Sequence, residues 1–474
     1  MSTTVSDVTG PEVASPPSSY PAARQAEGAV AAQIRQRLSL CMIVRDEERR
    51  LGRCLASALP WVGEAIVVDT GSTDGTVALA AAAGARVLHF PWRDDFALAR
   101  NHALGAAALE WVLVLDADEI LRVDDPAAWA RALTQPADAS HTIAAYSIDC
   151  HDRIDDGGGG VAIGPVMRLF RRGFPDMVYR GQIHEQIVAV AERRCEASHA
   201  RFIHIDHDGH TGAVVAEHRT LERNLRLARL MVASRPADPF SWFCLGQALQ
   251  AADPSSASMG AEGILAFERA LEKLDALGPA HRDESYLAAL WINLVRALVR
   301  AGRARDALEV SARALCDFAD SPDLHFLRGK LLLDAGHVAA ASRELEDCLA
   351  PAAARFFLRQ DPGAVSYAAE TQLAICCLKL GQLDRAVRTL RSAINSAPAA
   401  FHLPRFLLGI LLVSRGAAAE AEPLLAAVVS QRPQDCDARL HWARALLAIG
   451  RRGDAESALA PLGTDPRVAQ LLAA

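Results

Sequence analysis

The sequence predicts an α/β domain built on a mostly parallel, Rossmann-like sheet, followed by an all-α domain of repeated helical hairpins. Two patterns carry this expectation: strand-type and helix-type segments alternate between residues 38 and 115, and glycines recur at near-constant spacing between residues 302 and 450. A chain of 474 residues also exceeds what one hydrophobic core usually supports, in keeping with more than one domain.

From Met1 to Gln36 the chain is rich in Ser, Pro, Ala and Gly, a mixture too poor in large apolar groups to offset chain entropy. Residues 1–36 are therefore expected to be a disordered tail. The α/β domain is assigned to 37–215. Leu38–Val44 reads as its first strand, the stretch from Glu48 to Ala58 as a helix, and Ala65–Val68 as the second strand. Helix from Thr76 to Ala83, strand Arg86–His89, helix from Phe96 to Ala108 and a buried strand Trp111–Leu115 follow. Such alternation implies a parallel sheet with helices on both faces, and ligands at the carboxyl ends of its strands. After Ile120 the regularity gives way to mixed strands and Gly-rich loops, including Asp155–Gly160, where an acceptor-binding subdomain is expected.

Residues 216–474 are assigned to a linker helix and helical repeats. Gly302, Gly336, Gly381, Gly416 and Gly450 are spaced by 34, 45, 35 and 34 residues, and each is followed five positions on by alanine: Ala307, Ala341, Ala386, Ala421 and Ala455. Seven positions before them stand Val295, Gly329, Ala374, Gly409 and Ala443. Small residues there let the two helices of a hairpin approach closely, while the recurring glycine ends the first helix in a tight turn.

Composition narrows the function classes. Hydrophobic residues at 51% and charged residues at 23% fit a soluble globular chain. A net charge of −7 and a pI near 6.1 give no general attraction to nucleic acid or to an anionic membrane, so no nucleic-acid partner is expected. The ten cysteines are scattered without a C-x-x-C pair, and Cys316, Cys376 and Cys377 fall within apolar helical patterns. They read as buried free thiols in a reducing compartment. Neither a secretory signal nor an uncharged apolar run near 18 residues stands in the sequence, so the expected location is cytoplasmic, with peripheral membrane attachment the alternative.

The strongest chemical signal is Val114-Leu-Asp-Ala-Asp-Glu119. Residues two apart in an extended segment share a face, so Asp116 and Asp118 are expected to project together from the end of a buried strand. Paired carboxylates repel unless a cation or hydrogen-bonding ligand lies between them, and Mg²⁺ or Mn²⁺ holding a nucleotide diphosphate meets that need. A solvated loop after a strand would also carry D-x-D. Asp69 stands at the end of the second strand, before the loop Thr70-Gly-Ser-Thr-Asp-Gly75. Its carboxylate could accept a nucleobase N–H, with Gly71 allowing close approach of the backbone; the same loop also reads as a capped helix start. No G-x-G-x-x-G or Walker sequence is present in this half, which disfavours a dinucleotide site or a P-loop ATPase.

Met42–Glu48, Val67–Thr76, Trp92–Asn101 and Leu115–Glu119 together resemble glycosyltransferase family 2, in order and spacing, and the glycine-spaced repeats resemble tetratricopeptide repeats. The resemblance is closest to bacterial members bearing C-terminal tetratricopeptide repeats, through Gly181–Gln186, His207–His210 and Arg223–Asn224. It implies a GT-A fold and an inverting single displacement from a nucleoside-diphosphate sugar, with uridine diphosphate the expected carrier and Mn²⁺ or Mg²⁺ the expected metal. It places Glu47 and Asp69 near base and ribose, Arg100 near base or diphosphate, Asp116 near the ribose, and Asp118 on the metal. His207 is then either a further metal ligand or a structural histidine. For the base that activates the acceptor, Glu185 is the first choice, with His184 as rival or helper; both also read as members of an ion pair with Arg168 or Arg180. The acceptor is a glycan, a lipid-linked group or a peptide, and the repeats are expected to engage a protein partner. The chain departs from the family at Val44–Arg45, where an aromatic is frequent, and at His210, where tyrosine is more usual. Two other readings are an interaction scaffold with a vestigial transferase domain and a sugar nucleotidyltransferase. Intact Asp69, Asp116 and Asp118 oppose the first, and the lack of a Gly-rich loop after the first strand opposes the second.

Overall fold

A computed structural model describes residues 21–135, 143–153, 161–173, 177–189, 196–207, 220–253, 256–278, 286–350, 366–463 and 465–473. The first half is an eight-stranded sheet with order β3-β2-β1-β4-β7-β6-β10-β5. Its parallel part comprises β1 (Leu38–Val44), β2 (Glu64–Asp69), β3 (Arg86–His89) and β4 (Trp111–Val114), joined through helices α2 (Leu51–Ala58), α3 (Thr76–Ala82) and α4 (Phe96–Ala106). These elements match the sequence expectation to within three residues at each end. Alternation decides which side chains are buried where. Leu38, Leu40 and Met42 enter the core on one face of β1, and Cys41 joins Ile66, Val68, Val112 and Val114 on the other.

The sheet then changes direction. β7 (Val161–Arg171) runs antiparallel to β4, β6 (Ile143–Arg153) antiparallel to β7, and β10 (Glu196–His207) parallel to β6. β5 (Glu119–Val123), which leaves the Asp116–Asp118 turn, closes the edge antiparallel to β10. Helix α5 (Pro126–Thr134) follows, and β8 (Met177–Arg180) and β9 (Gln186–Ala189) form a separate hairpin. The sequence patterns did not resolve this half, because its strands alternate polar and apolar groups irregularly. The Gly-rich segment 155–160 and His210 lie outside the described residues.

One expectation is corrected. Residues 21–35, assigned to the disordered tail, form helix α1 (Pro21–Arg35), and Ile34 is fully buried with Val30 packed beside it. Two apolar residues one turn apart suffice here because α1 rests against α5 and the sheet; tertiary packing, not composition, orders the segment. Residues 1–20 lie outside the described region.

The second half is helical throughout its described residues. α6 (Thr220–Ser234), α7 (Pro239–Ala252), α8 (Ala257–Leu277) and α9 (Leu287–Arg300) adjoin the α/β domain. Hairpins follow: α10 (Ala304–Asp317) after α9, α11 (Pro322–Asp334) with α12 (Val338–Cys348), α13 (Tyr367–Lys379) with α14 (Leu383–Ser396), α15 (Leu403–Ser414) with α16 (Ala418–Gln431), and α17 (Cys436–Ala448) with α18 (Arg452–Leu459). Helix α19 (Pro466–Ala473) ends the described chain. Gly302, Gly336, Gly381, Gly416 and Gly450 adopt φ between +71° and +82°, so each hairpin turns through a left-handed residue. The alanines five residues later are all fully buried.

The small residues seven positions earlier act as the spacing predicts. A Cβ on Gly329 would stand 2.8 Å from Leu345 Cγ, and one on Gly409 would stand 2.6 Å from Leu425 Cγ. Gly409→Ala is therefore expected to lower stability by about 1–3 kcal/mol through overpacking. An unchanged denaturant midpoint would contradict this close approach.

Among the cysteines, Cys376 and Cys377 are buried as expected, but Cys316 is exposed. It lies half a turn from the buried stripe Ala307, Ser311 and Ala314 of α10, so its apolar neighbours in sequence are not its neighbours in space. Among the described residues no helix is long and apolar enough to cross a membrane.

The two halves meet along one seam. Ile183 is buried in the same cluster as Leu225, Leu227 and Phe243, with Trp92 and Phe96 packed against it. Arg226 clamps Asp94 with two hydrogen bonds of 2.6 and 2.7 Å, and the Arg223 guanidinium lies over the Phe96 ring at 5.1 Å.

Candidate active site

At the carboxyl ends of β1 and β2, two loops lace together. Asp46 accepts from Thr73 N at 2.7 Å, Thr76 Oγ1 accepts from Glu47 N at 2.7 Å, and Glu48 accepts from Gly75 N at 3.1 Å. Residues 46–48 and 72–76 thereby form one wall, on which Glu47 is half-buried. Asp69 is buried at the root of this wall. Its carboxylate accepts from Ser72 N at 3.0 Å, from Gly71 N at 3.3 Å and pairs with His89 Nδ1 at 3.3 Å. Burial raises its pKa, but those hydrogen bonds outweigh it and hold Asp69 below the ordinary carboxylate value. Most of its roughly four acceptor sites are thus occupied in shaping the loop, a task the sequence did not reveal. Gly71 has φ +112°, with nothing within 4 Å of the position of a Cβ.

Asp116 and Asp118 lie on the turn between β4 and β5 but have different partners. Asp116 Oδ1 accepts from Arg100 Nη2 at 2.8 Å, and Oδ2 from Arg168 Nη2 at 2.6 Å. Burial pushes Asp116 up; the two guanidiniums overcome it and hold the carboxyl far below its usual range. The expected repulsion between the two aspartates is therefore relieved at Asp116 by arginines. Arg168 also donates to Glu119 at 2.6 Å, and Glu119 Oε2 accepts from Asp116 N at 2.8 Å. Arg100 is buried and donates from Nε to Glu185 Oε1 at 2.5 Å. A continuous chain of charges results: Glu185, Arg100, Asp116, Arg168, Glu119. The ion pair considered for Glu185 is thus made with Arg100, rather than with Arg168 or Arg180.

Asp118 faces His207. Its Oδ2 lies 3.5 Å from His207 Nε2, and Asp152 Oδ1 stands 2.5 Å from His207 Nδ1. Burial would lower the pKa of His207, but Asp118, Asp152 and Cys150 raise it to about 12, so the imidazole is charged between two carboxylates. Glu47 is pushed up to about 7, first by burial and then by the Asp118 carboxylate. Negative charge therefore concentrates at Asp118, next to an imidazole nitrogen. A divalent cation fits this set: Asp118 and His207 Nε2 would hold it, the cation replacing the proton of His207 and easing the strain on Glu47. Asp116 is less available, since arginines take both of its oxygens.

Glu47 gives a pH test. Its folded pKa lies above the ordinary value of 4.5, so between 4.5 and about 7 the folded chain holds a proton that the unfolded chain has released. Its contribution to stability is complete below 4.5 and is lost as pH rises through 7. Glu47→Gln should then gain in melting temperature relative to wild type at about pH 8 but not at about pH 5. Equal differences at both values would contradict the raised pKa.

The loop carrying Glu185 is strained. Gly181 has φ +109° and His184 φ +51°, the latter uncommon for a residue with a side chain. His184 is exposed, yet it lines a cavity of about 400 Å³ together with Asn224, Gln247, Gln250, Asn293 and Arg300 from the helical half. Desolvation lowers its pKa, against the opposing pull of Glu185. Glu185 Oε2 takes no hydrogen bond among the described residues, leaving that oxygen to accept a proton. Sequence reasoning missed Cys150 and Asp152, whose only mark was polar residues within a strand pattern, and it gave Glu119 no role although Glu119 closes the Asp116–Asp118 segment. Arg168 enters the sequence reading only as an ion-pair partner for Glu185 or His184.

Residues 39–157 match the family model described as glycosyl transferase family 2, and residues 412–474 match a tetratricopeptide repeat. A TPR repeat-containing protein of Synechococcus elongatus is 44% identical over 160 residues, 34% of this chain and 36% of that protein. The SPbeta prophage-derived glycosyltransferase SunS of Bacillus subtilis is 24% identical over 216 residues, 45% of this chain and 49% of SunS. The lipopolysaccharide core biosynthesis glycosyltransferase LpsC of Rhizobium meliloti is 40% identical over 89 residues, 18% of this chain and 32% of LpsC. The chain thus spans about a third to a half of the length of these relatives. The crystal structure of YrrB, described as a TPR protein with an unusual peptide-binding site, aligns with 43% of this chain and 96% of its own at 20% identity and a TM-score of 0.35.

Proposed function

We propose that the glycosyl transferase family 2 domain of residues 39–157, completed by Arg168, His184, Glu185 and His207, transfers a sugar from a nucleoside-diphosphate sugar to an acceptor with inversion. Uridine diphosphate is the carrier in this reading, and the acceptor is a glycan, a lipid-linked group or a peptide. What carries it is the bonded chain from Glu185 through Arg100 to Asp116, which joins the acceptor-side carboxylate to the donor-side aspartates in one cluster.

The residues divide the work. The wall of 46–48 and 72–76, rooted on Asp69, receives base and ribose. Arg100 and Arg168 keep Asp116 ionised and fixed toward the ribose. Asp118 and His207 hold Mn²⁺ or Mg²⁺, which when bound offsets charge growing on the departing diphosphate. Glu185, anchored through Oε1 by Arg100, presents Oε2 to take the proton of the attacking acceptor. His184 orients that acceptor at the mouth of the cavity it shares with the helical half, and the repeats beyond it engage a protein partner.

The test is a panel of nucleotide sugars incubated with the full chain and Mn²⁺ or Mg²⁺, scored for free nucleoside diphosphate. Release from a uridine-diphosphate sugar is expected. Failure with every donor, or pyrophosphate release from a nucleoside triphosphate and a sugar phosphate instead, would overturn the reading.

A further inference from the structure

On the sheet face opposite Cys150, Ile203 and Ile205, β6 and β10 bring together three side chains that the transfer reaction does not use: His151, His204 and Asp206. Alternation puts them there. Cys150, Ile203 and Ile205 turn into the core, so their neighbours His151, His204 and Asp206 turn outward, with Asp206 paired to His151 in register. Their ligating atoms all lie within 4.8 Å of one another.

The details favour a bound ion over a solvated cluster. Asp206 Oδ1 is 3.8 Å from His151 Nδ1 and 3.8 Å from His204 Nε2, too far for hydrogen bonds to close the gap. The two imidazoles stack at 4.5 Å with 24° between their planes, which keeps their nitrogens close, and one ring must rotate for both lone pairs to meet the same ion. His204 Nδ1 is held by Asp124 Oδ2 at 2.8 Å, which directs Nε2 toward the gap; a carboxylate behind an imidazole is how metal-binding histidines are oriented. Asp206 is fixed in the same way, since its Oδ2 accepts from Arg122 Nε at 2.7 Å and leaves Oδ1 facing both rings.

We propose that His151 Nδ1, His204 Nε2 and Asp206 Oδ1 form a second, zinc-class metal site, with water in the fourth position. Zinc–ligand bonds near 2.0–2.2 Å place ligand atoms roughly 3.3 Å apart, so the two Asp206 gaps contract by about half an ångström and the imidazoles turn to aim both nitrogens at one ion. Two imidazoles with one carboxylate select zinc over the harder Mg²⁺ or Mn²⁺ expected at Asp118. The ion ties β6 to β10 beside Asp152 and His207, the next residues on the same strands, and so stiffens one wall of the candidate active site. The proposal stands independently of the transferase reading.

The full chain and an Asp118→Ala, Cys150→Ala double variant, which weakens both the Asp118–His207 pair and the Cys150–Asp152–His207 group, are stripped of metal and titrated with Zn²⁺ against a chromophoric chelator, and His204→Ala and Asp206→Asn are each placed in the double variant. The full chain and the double variant are both expected to bind roughly one zinc at this site. His204→Ala and Asp206→Asn should each weaken binding by roughly 10- to 100-fold, and either variant alone gives the readout if the other fails to fold. Zinc uptake by the double variant that survives both substitutions, or the absence of zinc uptake from the double variant, overturns the proposal.

Discussion

Asp118→Ala is expected to lower kcat for sugar transfer by roughly a thousandfold or more while the protein stays folded. The loss reflects a cation no longer held where the diphosphate departs, an effect of several kcal/mol at about 1.4 kcal/mol per factor of ten. Stability should change by less than about 1 kcal/mol, because Asp118 makes only a 3.5 Å pair with His207 and Asp152 still balances that imidazole. Turnover and melting temperature, measured on the same preparation, check both halves. Near-normal turnover would remove Asp118 from the metal.

Glu185→Gln is the second large effect. Transfer is expected to fall by roughly 10²- to 10⁴-fold, the usual contribution of a positioned base, while donor affinity stays close to wild type. Glutamine keeps the shape and an acceptor oxygen for Arg100 Nε, so the chain from residue 185 to Asp116 persists and only proton acceptance is lost. Pre-steady-state transfer and nucleotide binding separate the two roles. A weakened donor with proportionally slower transfer would make Glu185 a positioning residue for Arg100, and unchanged transfer would move the base elsewhere.

The parallel half of the fold was legible because β1, β2 and β4 are buried on both faces and read as continuous apolar runs, with helical periodicity between them. The repeats were legible through Gly302 and its equivalents, since a left-handed turn and a buried alanine recur with the hairpin. What escaped depends on tertiary contact. Helix α1 is ordered by two side chains meeting α5 and the sheet, and Cys316 is exposed although its sequence neighbours are apolar. The site divides the same way. Asp69, Asp116 and Asp118 were found at strand ends, where topology places ligands. That Arg100 of α4 and Arg168 of β7 bond both oxygens of Asp116, and that Asp152 backs His207, follows from pairings 16, 52 and 55 residues apart that no local pattern encodes. Glu185 was named from its resemblance, and its partner Arg100 emerged only in three dimensions.

The central claim is that Asp118 and His207 grip a divalent cation that carries the donor's diphosphate. Calorimetry of uridine diphosphate binding to the full chain, with Mn²⁺ and after its removal, tests it most directly. The account predicts binding that requires Mn²⁺ and that Asp118→Ala abolishes. Equal binding without metal, or metal-dependent binding that survives Asp118→Ala, would contradict it.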